Sequence, residues 1–290
     1  MEPRFLLTAY LVQNTADDGS TGTLRWAINQ VNGNPGSGTT DFDIPGTGVQ
    51  RIALLSPLPQ ITNPVLIDGT SEATSEGEDA GPPLIQIDGS AAGSGCNGLV
   101  LSGGQSIVQG LVISGFSAAG IVLSGGSGNL VQGNQVGTDP SVTIAQPNGE
   151  GIDVVGSSSN TIGGTAAGAA NLISSNLGPG IELVRSTQDS TANLIAGNLI
   201  GTTADGLHAL GNQEDGILLD SATSTTIGGT SAGEGNVISG NLSNGVETLT
   251  SSPDNLLEGN EIGTDRSGTL ALGNRGNSVS LGAAATSLAA

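Results

Sequence analysis

Apolar residues in this chain come in short bursts, each closed by Gly, Asn, Ser, Asp or Pro. Arg51-Ile-Ala-Leu54, Pro64-Val-Leu-Ile-Asp68, Leu84-Ile-Gln-Ile-Asp88 and Gly98-Leu-Val-Leu101 are typical. Bursts of this size suit a strand and are too short for a helix. One segment departs from the pattern. In Thr23–Val31, residues Leu24, Ala27, Ile28 and Val31 fall at i, i+3, i+4 and i+7, which makes one apolar helical face. Thr23 supplies an N-cap hydroxyl, and Asn32-Gly33-Asn34-Pro35-Gly36 stops the helix. Ala9–Asn14 precedes it as a strand. A lone amphipathic helix ahead of a run of strands suits a cap over the open end of a stack, where strand edges would otherwise invite aggregation. Trp26 is the chain's one tryptophan and is expected to pack at this cap.

The bursts repeat. Asn193-Leu-Ile-Ala-Gly-Asn-Leu-Ile-Gly-Thr202 has close copies starting at Asn129 and Asn255, 64 residues before it and 62 after. A Gly-Ile/Leu/Val opening recurs at Gly98, Gly120, Gly151, Gly180, Gly216 and Gly245, at intervals of 22, 31, 29, 36 and 29 residues. The shortest interval is about what three short strands and three bends require. Two kinds of coil alternate, which doubles the period. One carries Asn160–Gly164 and Asn171–Asn176, copied at Thr225–Gly229 and Asn236–Asn241. The other carries the two halves of the repeated stretch and then a long loop. The periodicity predicts an all-β solenoid: a right-handed parallel β-helix, three strands per coil, with a short N-terminal capping helix. The β-helix is read over residues 41–277. It follows an export-type segment at 1–8, expected to be flexible, and a cap at 9–40, and it precedes a tail at 278–290. Recurrent asparagines such as Asn193/Asn198, Asn236/Asn241 and Asn255/Asn260 suit tight bends and stacked side-chain ladders. Leu207, Leu210, Leu270 and Leu272 are expected to pin the long loops to the tube.

Composition narrows the core. There are 49 glycines and only 2% aromatics, so small aliphatic side chains must fill the interior. The 36% hydrophobic content is too high for a disordered chain, and the glycines lack the three-residue period of collagen. Charge narrows the partners. Twenty-six acidic residues face six arginines and no lysine, a net charge of −20. Binding to nucleic acid or to an anionic membrane needs basic contacts that this chain does not supply. Cys96 is the single cysteine, so neither a disulfide framework nor a cysteine metal site is expected. No run approaches the roughly 18 apolar residues of a membrane helix, and no membrane insertion is expected.

Three resemblances follow from these residues. Glu2, Pro3, Arg4, Leu6 and Leu7 resemble the Leu-Glu-Pro-Arg-x-Leu-Leu segment near the start of many large bacterial extracytoplasmic proteins, with Met1 in place of the leucine. Thr23, Leu24, Arg25 and Ala27 resemble the Ser-Leu-Arg-x-Ala cap of bacterial β-helix proteins. Residues 41–277 resemble the right-handed β-helix repeat proteins, the pectin-lyase-like superfamily in the broad sense. The first resemblance implies an extracytoplasmic, secreted or cell-surface location. The last implies the fold, which hosts lyases, hydrolases, adhesins and plain scaffolds alike.

Candidate chemistry lies where the repeats disagree. The second residues after the Gly openings are Val122, Asp153, Glu182, Leu218 and Glu247. Asp153 and Glu182 would be ladder neighbours, able to divide into acid and base, with Arg185 nearby as base or anchor. Against this, polygalacturonases carry a Gly-His-Gly segment, whereas the only histidine here is His208, in a repeat loop. Pectate lyases need clustered aspartates with catalytic Arg or Lys. The acidic stretch with Glu72, Glu76, Glu78 and Asp79 reads as a solvated loop. No cofactor is expected; Ca2+ is the ion the carboxylates would take, with Asp139 and Asp265 as candidate ligands. The expected function is a non-catalytic exported β-helix module, a surface scaffold or adhesion element. The alternatives are a polysaccharide lyase or glycoside hydrolase, or a carbohydrate-binding surface on the exposed strand face. The expected partners are polysaccharide or another cell-surface protein, with a further contact at the C-terminal end of the solenoid.

Overall fold

The computed structural model describes residues 8–34, 36–75, 82–249, 252–282 and 286–289. Strands within it stack into three long sheets, and neighbouring strands are parallel throughout. The first sheet has ten strands, from Thr8–Val12 to Thr286–Ala289. The second has eight, from Gln50–Ala53 to Glu261–Ile262. The third has seven, from Leu99–Leu101 to Val279–Leu281. One coil gives one strand to each: Leu194–Ala196, then Leu199–Ile200, then Ile217–Asp220. The chain is a parallel β-helix with three strands per coil, of the hand that parallel crossovers take.

Alternation along each strand sorts side chains into an inner and an outer row. The inner row of the first sheet runs Val108, Val131, Ile162, Ile195, Ile227, Leu257 in register. The third sheet matches it with Ile121, Ile152, Ile181, Ile217, Val246. All of these are buried. Each fully buried aliphatic side chain is worth roughly 1.5–3 kcal/mol, so the columns supply the drive to stack without aromatic rings.

The recurrent asparagines sit at the three corners and form ladders. At the corner between the third and first sheets, the Asn129 side-chain amide donates to Asn160, and Asn160 to Asn193, at 2.8 Å each. At the next corner the chain of donors is Asn134, Asn171, Asn198, Asn236, Asn260. At the last it is Asn148, Asn176, Asn212, Asn241, Asn274. Each acceptor oxygen also takes the backbone N–H of the preceding coil, as Asn198 Oδ1 takes that of Asn171. The buried polar corners are satisfied by copies of themselves. Bends beside them need positive φ, as at Gly197 (71°), which joins the two strands of Asn193–Thr202.

Helix α1 (Leu24–Gly33) closes the N-terminal end. Thr23 Oγ1 accepts the Trp26 N–H, and Leu24, Ala27, Ile28 and Val31 are buried as the periodicity predicts. Trp26 meets Tyr10 edge to face, with ring centroids 6.0 Å apart. Arg25 pairs with Asp17 at 2.7 Å and also donates to the carbonyls of Ser56 and Pro57, tying the cap to the first coils.

Three expectations change. The ladder does not stop at Asn277, because Val279–Leu281 and Thr286–Ala289 join the third and first sheets. Glu72 is not part of a solvated loop. It lies on a short helix, α2 (Thr70–Ser75), fully buried, and accepts the Ile44 N–H at 3.0 Å. Leu207 and Leu270 are 46% and 65% exposed and do not pin the long loops. Those loops close instead on antiparallel bridges, Thr138 to Ala145, Thr202 to Ala209 and Thr264 to Ala271. The N-terminal segment read at 1–8 falls outside the described residues except for Thr8, and so do Glu76, Glu78 and Asp79.

Candidate functional site

The third sheet carries an outer row that turns acidic over several coils, and the first sheet pairs Asp41 with Asp68 in the same way. The outer row of the third sheet runs Val122, Asp153, Glu182, Leu218, Glu247, Ser280. Inward neighbours in the same strands are aliphatic, so the alternation that builds the core also aims these carboxylates outward. Adjacent coils are about 4.8 Å apart, which makes Asp153 and Glu182 direct neighbours.

Asp153 is poorly solvated, and its Oδ1 has no hydrogen-bond partner among the described residues. Burial, then the charges of Glu150 and Glu182, push its carboxyl up to about 7. Burial also raises Glu182, with Glu150, Asp220 and Glu214 adding to the effect. Two coils on, Glu247 is raised by burial and by a hydrogen bond and like charge from Asp215. Asn244 donates to both, its N–H to Asp215 at 2.6 Å and its amide to Glu247 at 3.3 Å. Beside Glu182 lies an open groove of about 260 Å³, lined by Glu150, Leu177, Pro179, Glu182, Glu214 and Leu218.

The structure thus brings together Asp153 and Glu182 and leaves Arg185 out. Arg185 Nε sits 3.2 Å from Asp189, a neighbour in the same turn, and both groups are exposed. Sequence reasoning missed Glu150, Glu214 and Asp215. Glu150 and Asp215 immediately precede the Gly openings at Gly151 and Gly216, and stacking the residue before each Gly would have found them.

Asp139 and Asp265 hold their own loops. Asp139 accepts the N–H groups of Ser141, Thr143 and Ile144. Asp265 accepts those of Thr269 and Leu270 and the Ser267 hydroxyl. Hydrogen bonds from Ser141 and the loop amides leave Asp139 below the ordinary carboxylate value although burial opposes them; Asp265 is held low first by Ser267. No group of three or more His, Cys, Asp and Glu side chains converges among the described residues. His208 is exposed at a loop tip.

No family model matches this chain, and neither does any curated protein. Among solved structures, a mutant of the periplasmic alginate epimerase AlgG is similar over 79% of this chain and 46% of that one, at 17% identity and a TM-score of 0.42. This chain spans under half the length of that protein.

Proposed function

We propose that this chain is a non-catalytic β-helix module that acts outside the cytoplasm as a surface scaffold or adhesion element. The reading rests on one observation above all. The polar residues shared by the repeats are used up in three buried asparagine ladders, two of them running through five asparagines. Such ladders make a stiff rod whose outer rows are free to vary and to meet a polysaccharide or a cell-surface protein. A net charge of −20 keeps copies of the rod apart. This reading does not call on Ca2+ at Asp139 and Asp265; loop donors hold both carboxylate oxygens of Asp139 and Oδ1 of Asp265. The test is a screen of purified protein for release of reducing ends or unsaturated sugars from neutral and acidic polysaccharides. Turnover that Asp153→Asn abolishes would overturn the proposal.

A polysaccharide-active enzyme is the second reading, and the Asp153–Glu182 pair favours it. A carboxyl group pushed up to about 7 keeps its proton near neutrality and can donate it to a leaving oxygen. The partner then has to be an ionised carboxylate. Burial and three acidic neighbours raise Glu182 in the same direction, so the pair lacks the contrast that splits acid from base.

A further inference from the structure

The three outer faces of the solenoid are finished differently. The third sheet turns acidic residues outward. The second turns out Leu172, Leu199 and Val237, which are buried, with Val142 of the first long loop packed on them. The first sheet is neither acidic along its middle nor covered. One of its outer rows runs Leu66, Ile107, Leu130, Thr161, Leu194, Thr226, Leu256 through consecutive coils. All of these are at least partly exposed, and Leu194 reaches 36%. Two residues further along the middle strands lies a second, lower row, Gln109, Gln132, Gly163, Ala196, Gly228, whose last three members are buried.

The middle of this face has no charge. Residues 102–138, 156–181, 190–204 and 221–233 hold the strands from Ile107–Gln109 to Thr226–Gly228 and the bends at both of their ends. None of these residues is Asp, Glu, Arg, Lys or His, in a chain with 26 acidic residues and 6 arginines. Acids return only at the two limits, with Asp68 beside Gln109 and Glu258 beside Gly228. Folding does not demand this. Outward positions of an acidic protein take carboxylates by default, as the third sheet shows. A partly exposed aliphatic row without charge marks a surface that meets another protein.

We infer that the outer face of the first sheet is where two copies of this chain associate, side by side, about a twofold axis parallel to the solenoid. Charge selects the occupant. A basic partner would be drawn to the acidic third sheet instead. The net charge of −20 that keeps copies apart elsewhere spares only a contact made across a surface without carboxylates. The acidic rows then face away from the contact, and screening over about 8 Å at physiological salt weakens what repulsion is left. Shape selects the arrangement. A twofold along the solenoid lays the aliphatic row of one copy over the low row of the other. Thr161 then meets Gly163 of the second copy, Leu194 meets Ala196 and Thr226 meets Gly228, each pairing occurring twice. Turning one copy end for end would stack the aliphatic rows on each other. Size sets the strength. Coils at about 4.8 Å make the row about 30 Å long, and a strand with its bends is about 20 Å wide, so each copy offers on the order of 600 Å². A standard interface takes about 800 Å² from each partner, which makes this a weak dimer. The inference goes beyond the scaffold reading and does not depend on it.

The test is sedimentation velocity and small-angle scattering of the full chain from roughly 10 µM to 1 mM, at low salt and at about 0.5 M NaCl. A dimer is expected that grows with concentration, tightens several-fold at the higher salt, and keeps nearly the length of the monomer while gaining width. Thr161→Glu and Leu194→Glu each bring two carboxylates into the contact and should weaken it at least tenfold. Thr161→Glu, at an outward site that is already polar, decides the matter should Leu194→Glu melt below the parent. Leu207→Glu, on an exposed loop off this face, should leave association unchanged. A monomer at every concentration and salt, a dimer of doubled length, or association kept in Thr161→Glu and lost in Leu207→Glu would each overturn the inference.

Discussion

Asp153→Asn replaces the most perturbed carboxyl group with an isosteric neutral amide, and the physics fixes both sign and pH window. The ordinary aspartate value is 3.8, and Asp153 in the folded chain is pushed up to about 7. Between those values the folded protein holds a proton that the unfolded chain has released. Stability therefore falls as pH rises through this window and levels off above about 7. A shift of that size corresponds to roughly 4 kcal/mol at about 1.4 kcal/mol per unit, an upper figure because Glu150 and Glu182 ionise over the same range and share the cost. The amide cannot ionise, so the variant should escape most of this loss.

The assay is urea denaturation of parent and variant from pH 4.5 to 8.5 at fixed ionic strength. The lower limit matters. Asp139, Asp205 and Asp265 are held below the ordinary value by loop hydrogen bonds, so their opposite contribution is complete by about pH 5. Glu182 and Glu247 add slopes of the same sign as Asp153, so the difference between the two proteins is the diagnostic quantity. The Asp153→Asn variant is expected to gain stability over the parent progressively up to pH 7.5, by about 2–4 kcal/mol. Parallel pH profiles for the two proteins would refute a desolvated Asp153 and, with it, the close packing of the carboxylate row.

Asn198→Ala cuts the middle corner ladder, stranding the Asn171 donors and Asn236 acceptor, and should cost roughly 3 kcal/mol or more by denaturant midpoint. The same change at Asn274, the half-buried last rung, should cost clearly less. Gly163→Ala places a Cβ against the Ala196 carbonyl at a φ of 93° and should lose at least about 2 kcal/mol in the same assay. Thr23→Ala removes the cap of α1 and should lower stability by about 1 kcal/mol, with faster amide exchange confined to that helix.

What the sequence made legible was whatever the repeats share. Ile195, Asn198 and Gly197 recur because a narrow aliphatic column, a corner ladder and a left-handed bend each accept very few residue types, and recurrence at fixed intervals exposes all three. Helix α1 was legible for a different reason, a 3.6-residue period among period-two strands. Glu72 was not. A carboxylate two residues after a Gly-Thr turn reads as solvated, and only the packing of α2 onto a neighbouring strand puts the Ile44 N–H against it. Leu207 and Leu270 misled because hydrophobicity in a repeated loop suggests an anchor, whereas the work of closing the loop falls to hydroxyls, carboxylates and one bridge pair. The candidate sites follow the same logic in reverse. The row partners Asp153 and Glu182 could be aligned from their Gly openings, yet the pairing of Arg185 with Asp189 and the crowding by Glu150 and Glu214 depend on bends of unequal length between strands. A solenoid sequence announces its frame through repetition, and any specific recognition has to be written in the positions where repetition fails, as where Val122 and Leu218 flank Asp153 and Glu182 in one register row.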